Sequence, residues 1–111
     1  MNKDPETEPY GIVLVTAPDR AEAAAIAHTL IQEQLAACVT LMPVYSIYTW
    51  QNEVHQAEEW QLLIKTDLTH FETLAAKVRQ VHSYEVPEII ALPIIAGSQP
   101  YLQWIANQVK G

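Results

Sequence analysis

Cys38 is the only thiol in the chain, and the four imidazoles that could join it are scattered at His28, His55, His70 and His82. As a thiolate it would take a soft ion such as Cu(I). A lysine beside it would favour the thiolate, and Lys65 becomes its cross-strand neighbour if the intervening segment folds back on itself. The alternative is a small hydrophobe at the start of a strand. A second group sits in one short run, His82-Ser83-Tyr84-Glu85-Val86-Pro87. Imidazole suits Cu or Zn, and a nearby carboxylate adds a ligand or orients the ring. The spacing matches no recognised ligand motif, so a structural reading stands beside it. In that reading His82 sits favourably at a helix C-terminus, Tyr84 packs in an interface and Glu85 pairs with a cation. Lys65 either offers positive charge to an anion or closes a strand-end salt bridge. Glu58 and Glu59 are adjacent on a predicted strand and face opposite sides, so they cannot share a cation within one chain. There is no Gly-rich phosphate loop, HExxH, CxxC or G-x-S-x-G. A Cys38–His82 nucleophile would lack an orienting acid. No enzyme is expected.

Positioning these residues falls first to Cys38–Thr66, which reads as two long strands. The first, Cys38–Trp50, is rich in β-branched and aromatic residues. The second runs from Glu53 to Thr66, with Gln51-Asn52 as a short turn that lacks the usual Gly. Positions summing to 103 then face each other, so Cys38 meets Lys65 and Tyr48 meets His55. Pro43 predicts a bulge or a bend. The outer hairpin carries Tyr45 and Ile47 on one face and Tyr48 and Trp50 on the other. It is apolar on both, which suits burial in an assembly. Trp50 and Trp60 are read as interface and core anchors. His28, His55 and His70 are read as surface or interface residues.

Around the hairpin, Tyr10–Thr16 is a buried strand. Asp19 caps a helix over Arg20–Gln34, with Glu22 at capping-box spacing and Ala23, Ile26, Ala27, Leu30 and Ile31 on its apolar stripe. Asp67 or Thr69 caps a second helix, which buries Phe71, Leu74, Ala75, Val78 and Val81. Glu88–Ala96 is a strand, and Ser98 caps a last helix with Pro100 in its first turn. The order β-α-β-β-α-β plus a helix is an α+β, ferredoxin-like arrangement with a long protruding β-hairpin. Right-handed crossovers put both long helices on one face of an antiparallel sheet. The first and last strands are nevertheless apolar on both faces, so one sheet face is expected to be an interface.

The chain has 111 residues, half of them apolar or aromatic, and a formal charge of −7. Residues 10–111 are expected to form a single domain, preceded by a flexible acidic tail over residues 1–9. The charge argues against nucleic acid and anionic lipid as partners. No apolar run reaches the ~20 residues that span a membrane. Residues 1–9 lack the hydrophobic segment of a secretory signal, and one cysteine suits a reducing compartment. A cytoplasmic protein is expected.

A set of residues then points to a family: Ala37-Cys38-Val39, Pro43, Ser46-Ile47-Tyr48 with Trp50, Glu58-Glu59, Lys65-Thr66, His82, the run Tyr84 to Ile89, Gly97, Tyr101-Leu102 and Trp104-Ile105. With these, the sequence resembles CutA, the divalent-cation tolerance proteins, over about residues 11–105. Thr40 and Ser83 stand where the family usually has Asn and Pro. The resemblance implies a homotrimer with sheets facing inward and hairpins extending each neighbour's sheet. It implies similarity to PII signalling proteins, which bind effectors in clefts between subunits. Cys38, Lys65, His82, Tyr84 and Glu85 are the expected lining of such a cleft. Cys38 and His82 are the candidate metal ligands, and Tyr48, Trp50 and Trp60 the expected trimer contacts. No cofactor is required, with copper or another divalent cation as a candidate ligand and an unidentified protein as a possible partner. A binding and signalling module, a direct Cu or Zn binder and a ligand-free scaffold are the competing functions.

Overall fold

Thirteen consecutive cross-strand pairs set the architecture. In the computed structural model, which describes residues 9–110, β2 (Cys38–Trp50) and β3 (Glu53–Asp67) form an antiparallel hairpin without interruption from Cys38↔Lys65 to Trp50↔Glu53. Every pair sums to 103, as the sequence predicts. The turn is resolved as well. Gln51 and Asn52 have φ of 53° and 65°, the double positive φ of a type I′ turn, whose twist matches that of the flanking strands.

Pro43 makes no bulge. A two-residue turn makes Trp50–Glu53 a hydrogen-bonded pair, and pairs alternate from there. Pro43 opposite Trp60 is therefore a non-hydrogen-bonded position, where β3 asks nothing of the missing N–H. Its nitrogen faces the open edge, because β2 is the outermost strand.

The other strands complete the order β2-β3-β1-β4, with all three neighbouring pairs antiparallel. β1 (Tyr10–Ala17) lies between β3 and β4 (Ile90–Pro93). β4 is shorter than the apolar run Glu88–Ala96 suggests. It pairs only with Gly11–Leu14, and one further bond runs from the Ile94 N–H to the Tyr10 carbonyl (3.0 Å). Near the far end of β1, the Thr16 carbonyl is bonded to the His82 side chain instead.

Helix α1 (Arg20–Gln32) starts as expected, with the Glu22 N–H donating to Asp19 Oδ1 at 2.8 Å. It ends two residues early. Gln34 turns left-handed (φ 59°). The Leu35 and Gln34 N–H groups then bond back to the Leu30 and Ile31 carbonyls, which is a Schellman stop. Asp67 caps a 3₁₀ turn, Leu68–His70, through the Thr69 N–H, ahead of α2 (Phe71–Val81). Ser98 occupies the cap position of α3 (Gln99–Gln108), but its side chain makes no cap bond. Ile31 and Val81, both in last turns, are exposed rather than buried. The tail expected over residues 1–9 lies outside the described residues, except Pro9, whose carbonyl accepts the Leu68 N–H.

The core lies between α1, α2 and one sheet face. Val13, Val15, Leu62 and Ile64 point into it and meet Ile26, Leu30, Leu74 and Val78. Alternate residues point the other way. Ile12, Leu14 and Leu63 stay half-buried, and Ile90 and Leu92 are exposed on that second face. The outer hairpin leaves the body of the fold, giving overall extents of 51 × 26 × 22 Å, with Ile47 65% exposed.

Gln51 holds a left-handed backbone without being glycine, at a cost of about 1 kcal/mol. Converting Gln51-Asn52 to Asn-Gly is expected to raise stability by about that amount. An increased urea midpoint at unchanged m-value would show it.

Candidate functional site

The loop after α2 is pinned to the end of β1 by one imidazole. His82 is fully buried at its side chain. Its Nδ1 accepts the Tyr84 N–H (3.0 Å), so the ring proton resides on Nε2, which donates to the Thr16 carbonyl (2.7 Å). The next N–H, from Ser83, donates to the Glu22 carboxylate at 2.8 Å. Glu22 therefore reaches across to this loop rather than back to its own cap, and only the Asp19 half of the capping box forms. With both nitrogens engaged, His82 presents no lone pair to a metal. Its work is to fix the loop.

Fixing the loop aims Tyr84. Its hydroxyl donates to Glu59 Oε2 at 2.6 Å. Its ring leans on the His82 ring, with centroids 4.9 Å apart. Glu59 is 6% exposed, whereas its neighbour Glu58 is exposed, as strand alternation requires. Burial, then the hydrogen bond to Glu59 and that carboxylate's charge, push the Tyr84 phenol well above its ordinary value. It stays a neutral donor at physiological pH.

Beside this pair lies an open pocket of about 490 Å³. Tyr48 and Trp50 from the outer hairpin form one side. Ser83, Tyr84, Glu85 and Val86 form the other, with Thr16, Glu59 and Glu88 completing the lining. Its charged groups are all carboxylates. Tyr48 is held by stacking on His55 (5.7 Å between centroids, 17° between planes), as the hairpin register predicts. Trp60 points to the opposite face and packs against the core, with the Arg20 guanidinium 5.9 Å from its ring centre.

The five residues expected to line one cleft thus form two groups. His82, Tyr84 and Glu85 come together. Cys38 and Lys65 face each other in register, but they lie six positions along β3 from Glu59, roughly 20 Å at ~3.3 Å per residue. The five do not converge within one chain. Cys38 is half-buried, with Sγ 4.0 Å from Thr40 Oγ1. Among the described residues, no group of three or more His, Cys, Asp or Glu side chains is placed to hold a metal ion.

Sequence reasoning missed Glu59 as the partner of Tyr84, and missed Glu22 and Thr16. The signal for Glu59 was present, because alternation puts it on the same sheet face as Leu63 and Lys65. Nothing local marks Glu22 or Thr16, whose partners are 61 and 66 positions away.

A four-stranded antiparallel sheet with three helices, a long hairpin and a pinned His-x-Tyr loop defines a class of small α+β protein. Residues 11–108 match the family described as CutA1 divalent ion tolerance protein, and the chain belongs to that family. It is 46% identical over 95 residues to the divalent-cation tolerance protein CutA of Thermus thermophilus, covering 85% of this chain and 92% of that one. It is 40% identical to the chloroplastic CutA protein of Arabidopsis thaliana over 99% of its own length, but spans only 61% of that relative. The solved CutA1 structure from the psychrotrophic bacterium Shewanella superposes with a TM-score of 0.89 at 40% identity, covering 94% of this chain and 98% of that one. The Thermus relative is named as a divalent-cation tolerance protein, and none of the three is named as an enzyme.

Two outcomes test this geometry. His82→Ala strands the Thr16 carbonyl and the Tyr84 N–H and is expected to cost about 1–3 kcal/mol, read as a lowered urea midpoint. Of the five tyrosines, Tyr84 is expected to ionise last in an alkaline absorbance titration. Because its folded pKa is raised, the unfolded chain releases that proton first. Its contribution is complete below about pH 10 and is lost as pH rises further, a loss that Tyr84→Phe removes.

Proposed function

We propose that the chain assembles as a cytoplasmic homotrimer of ferredoxin-like subunits, similar to PII proteins, and acts as a non-enzymatic binding and signalling module with its ligand in the cleft between subunits. The observation that carries this is the second sheet face. Ile12, Leu14, Leu63, Ile90 and Leu92 form an apolar surface on the side of the sheet away from α1 and α2, with Ile90 and Leu92 exposed, and it runs into the hairpin residues Tyr48 and Trp50. Such a surface marks an interface. The strand order β2-β3-β1-β4, with α1 and α2 against the same side, supports the ferredoxin-like reading. β2 adds a long open edge for pairing with a neighbour.

Assembly also answers the separation of the two groups of site residues. Cys38 and Lys65 of one subunit can lie beside the His82–Tyr84–Glu85 loop of the next, although six positions of β3 separate them within one chain. Tyr48 and Trp50 border that loop already.

A second reading is direct binding of a divalent or soft cation, favoured by the names of the relatives. It rests on Cys38, since the His82 nitrogens are occupied.

Native mass spectrometry, before and after adding metals and a metabolite mixture, separates these. The expected outcome is a trimer that retains one class of small molecule in stoichiometric amount. A trimer that takes up only metal, and loses that uptake in Cys38→Ala, supports the metal reading instead. A monomer overturns the assembly and the cleft with it.

A further inference from the structure

Among the described residues, Glu59 is a buried carboxylate without a countercharge. The Tyr84 hydroxyl is its only hydrogen-bond donor among the described residues, and no Lys, Arg or His side chain lies within ion-pair distance of it. A neutral hydroxyl satisfies one oxygen and leaves the charge in place. The neighbouring charged groups of the pocket, Glu85 and Glu88, have the same sign. Buried charges are ordinarily paired, because desolvation of a lone carboxylate is costly. The site as one chain builds it lacks a cation.

The second sheet face carries one. Among its strand residues Lys65 is the only Lys or Arg, set between Ile12 and Cys38 and adjoining Leu63. It is half-buried, and no carboxylate among the described residues pairs with it. Asp67, two positions on, is committed to capping Thr69. The two unpaired charges share one face of β3 but are held roughly 20 Å apart by the strand. No side-chain rotation closes that gap. A closed ring joins unlike patches of successive subunits, and it can bring Lys65 of one copy to Glu59 of the next.

We infer that the Lys65 ammonium of one subunit enters the Glu59–Tyr84 pocket of its neighbour and completes it as an intersubunit ion pair. The inference rests on the trimer proposed above and names the contact that fixes its register. An apolar face alone is non-directional. A charge pair at either end of it specifies which part of one sheet meets which part of the next. Tyr84 then serves assembly through its aim on Glu59, and the His82 pin serves it through Tyr84.

The test compares wild type with Glu59→Gln, Lys65→Met and the double variant by native mass spectrometry across a guanidinium series. Glu59→Gln keeps side-chain length and retains an acceptor for Tyr84, and Lys65→Met removes the charge while keeping an unbranched apolar stem one atom shorter. Each single variant is expected to weaken trimer formation by about tenfold or more, and the double variant no further than the worse single one, as coupled residues behave. Single effects that multiply in the double variant, or that are absent, overturn the pair while leaving the assembly intact. A monomeric wild type overturns the assembly itself. Should Glu59→Gln fail to fold, Lys65→Met and Lys65→Arg decide. Loss of trimer in the first and recovery in the second support the pair, and a Lys65→Met trimer as robust as wild type refutes it.

Discussion

Period-two alternation along an unbroken ladder is the constraint on which this structure depends. Because β2 and β3 keep one register over thirteen pairs, one parity of residue is committed to the helices and the other to the opposite face. Leu62 and Ile64 enter the core, whereas Glu59, Leu63 and Lys65 do not. A slip of one residue would exchange the two sets and drive a lysine and a glutamate into the helix-covered core. The type I′ turn fixes the register from one end. At the other, the Thr66 hydroxyl, bonded to the Leu35 carbonyl at 2.7 Å, ties β3 to the end of α1. Pro43 fits because its parity places it where no ladder bond is due.

The candidate site is built on that ladder by a second, much smaller device. His82 uses both ring nitrogens to hold the loop against β1, and the loop in turn delivers Tyr84 to a carboxylate that the ladder has turned to the face away from the helices. The site is thus assembled from a rigid strand and a loop made rigid by one side chain. Within it Tyr84 is held as a neutral donor to Glu59.

Much of the fold was legible because it rests on patterns that sequence displays directly. The hairpin register follows from a two-residue turn between two runs of β-forming residues. The apolar doubling of β1 and β4 announces a second face, and Asp19 caps where its spacing says. Other features were hidden because their causes are not local. Gln34 ends α1 in a left-handed conformation that only the Schellman bonds to Leu30 and Ile31 explain. β4 is short because it spans only Gly11–Leu14 of its partner. Convergence of Cys38 and Lys65 with the His82 loop was inferred from membership of one family, but a single chain holds them six positions apart along β3. Spacing along the chain carries no record of which end of a strand a loop returns to.

β2 runs for thirteen residues without an Asp, Glu, Lys or Arg. Edge strands are ordinarily defended by charge, and this one has only Pro43 as an interruption. A newly made chain therefore leaves the ribosome with an adhesive rim along the outside of its sheet. Until that rim is covered, any extended apolar segment in the cell competes for it. The outcome is a race between encounters whose speed scales with chain concentration. For this protein the rate of synthesis, and the proximity of chains made on one message, become part of the folding problem.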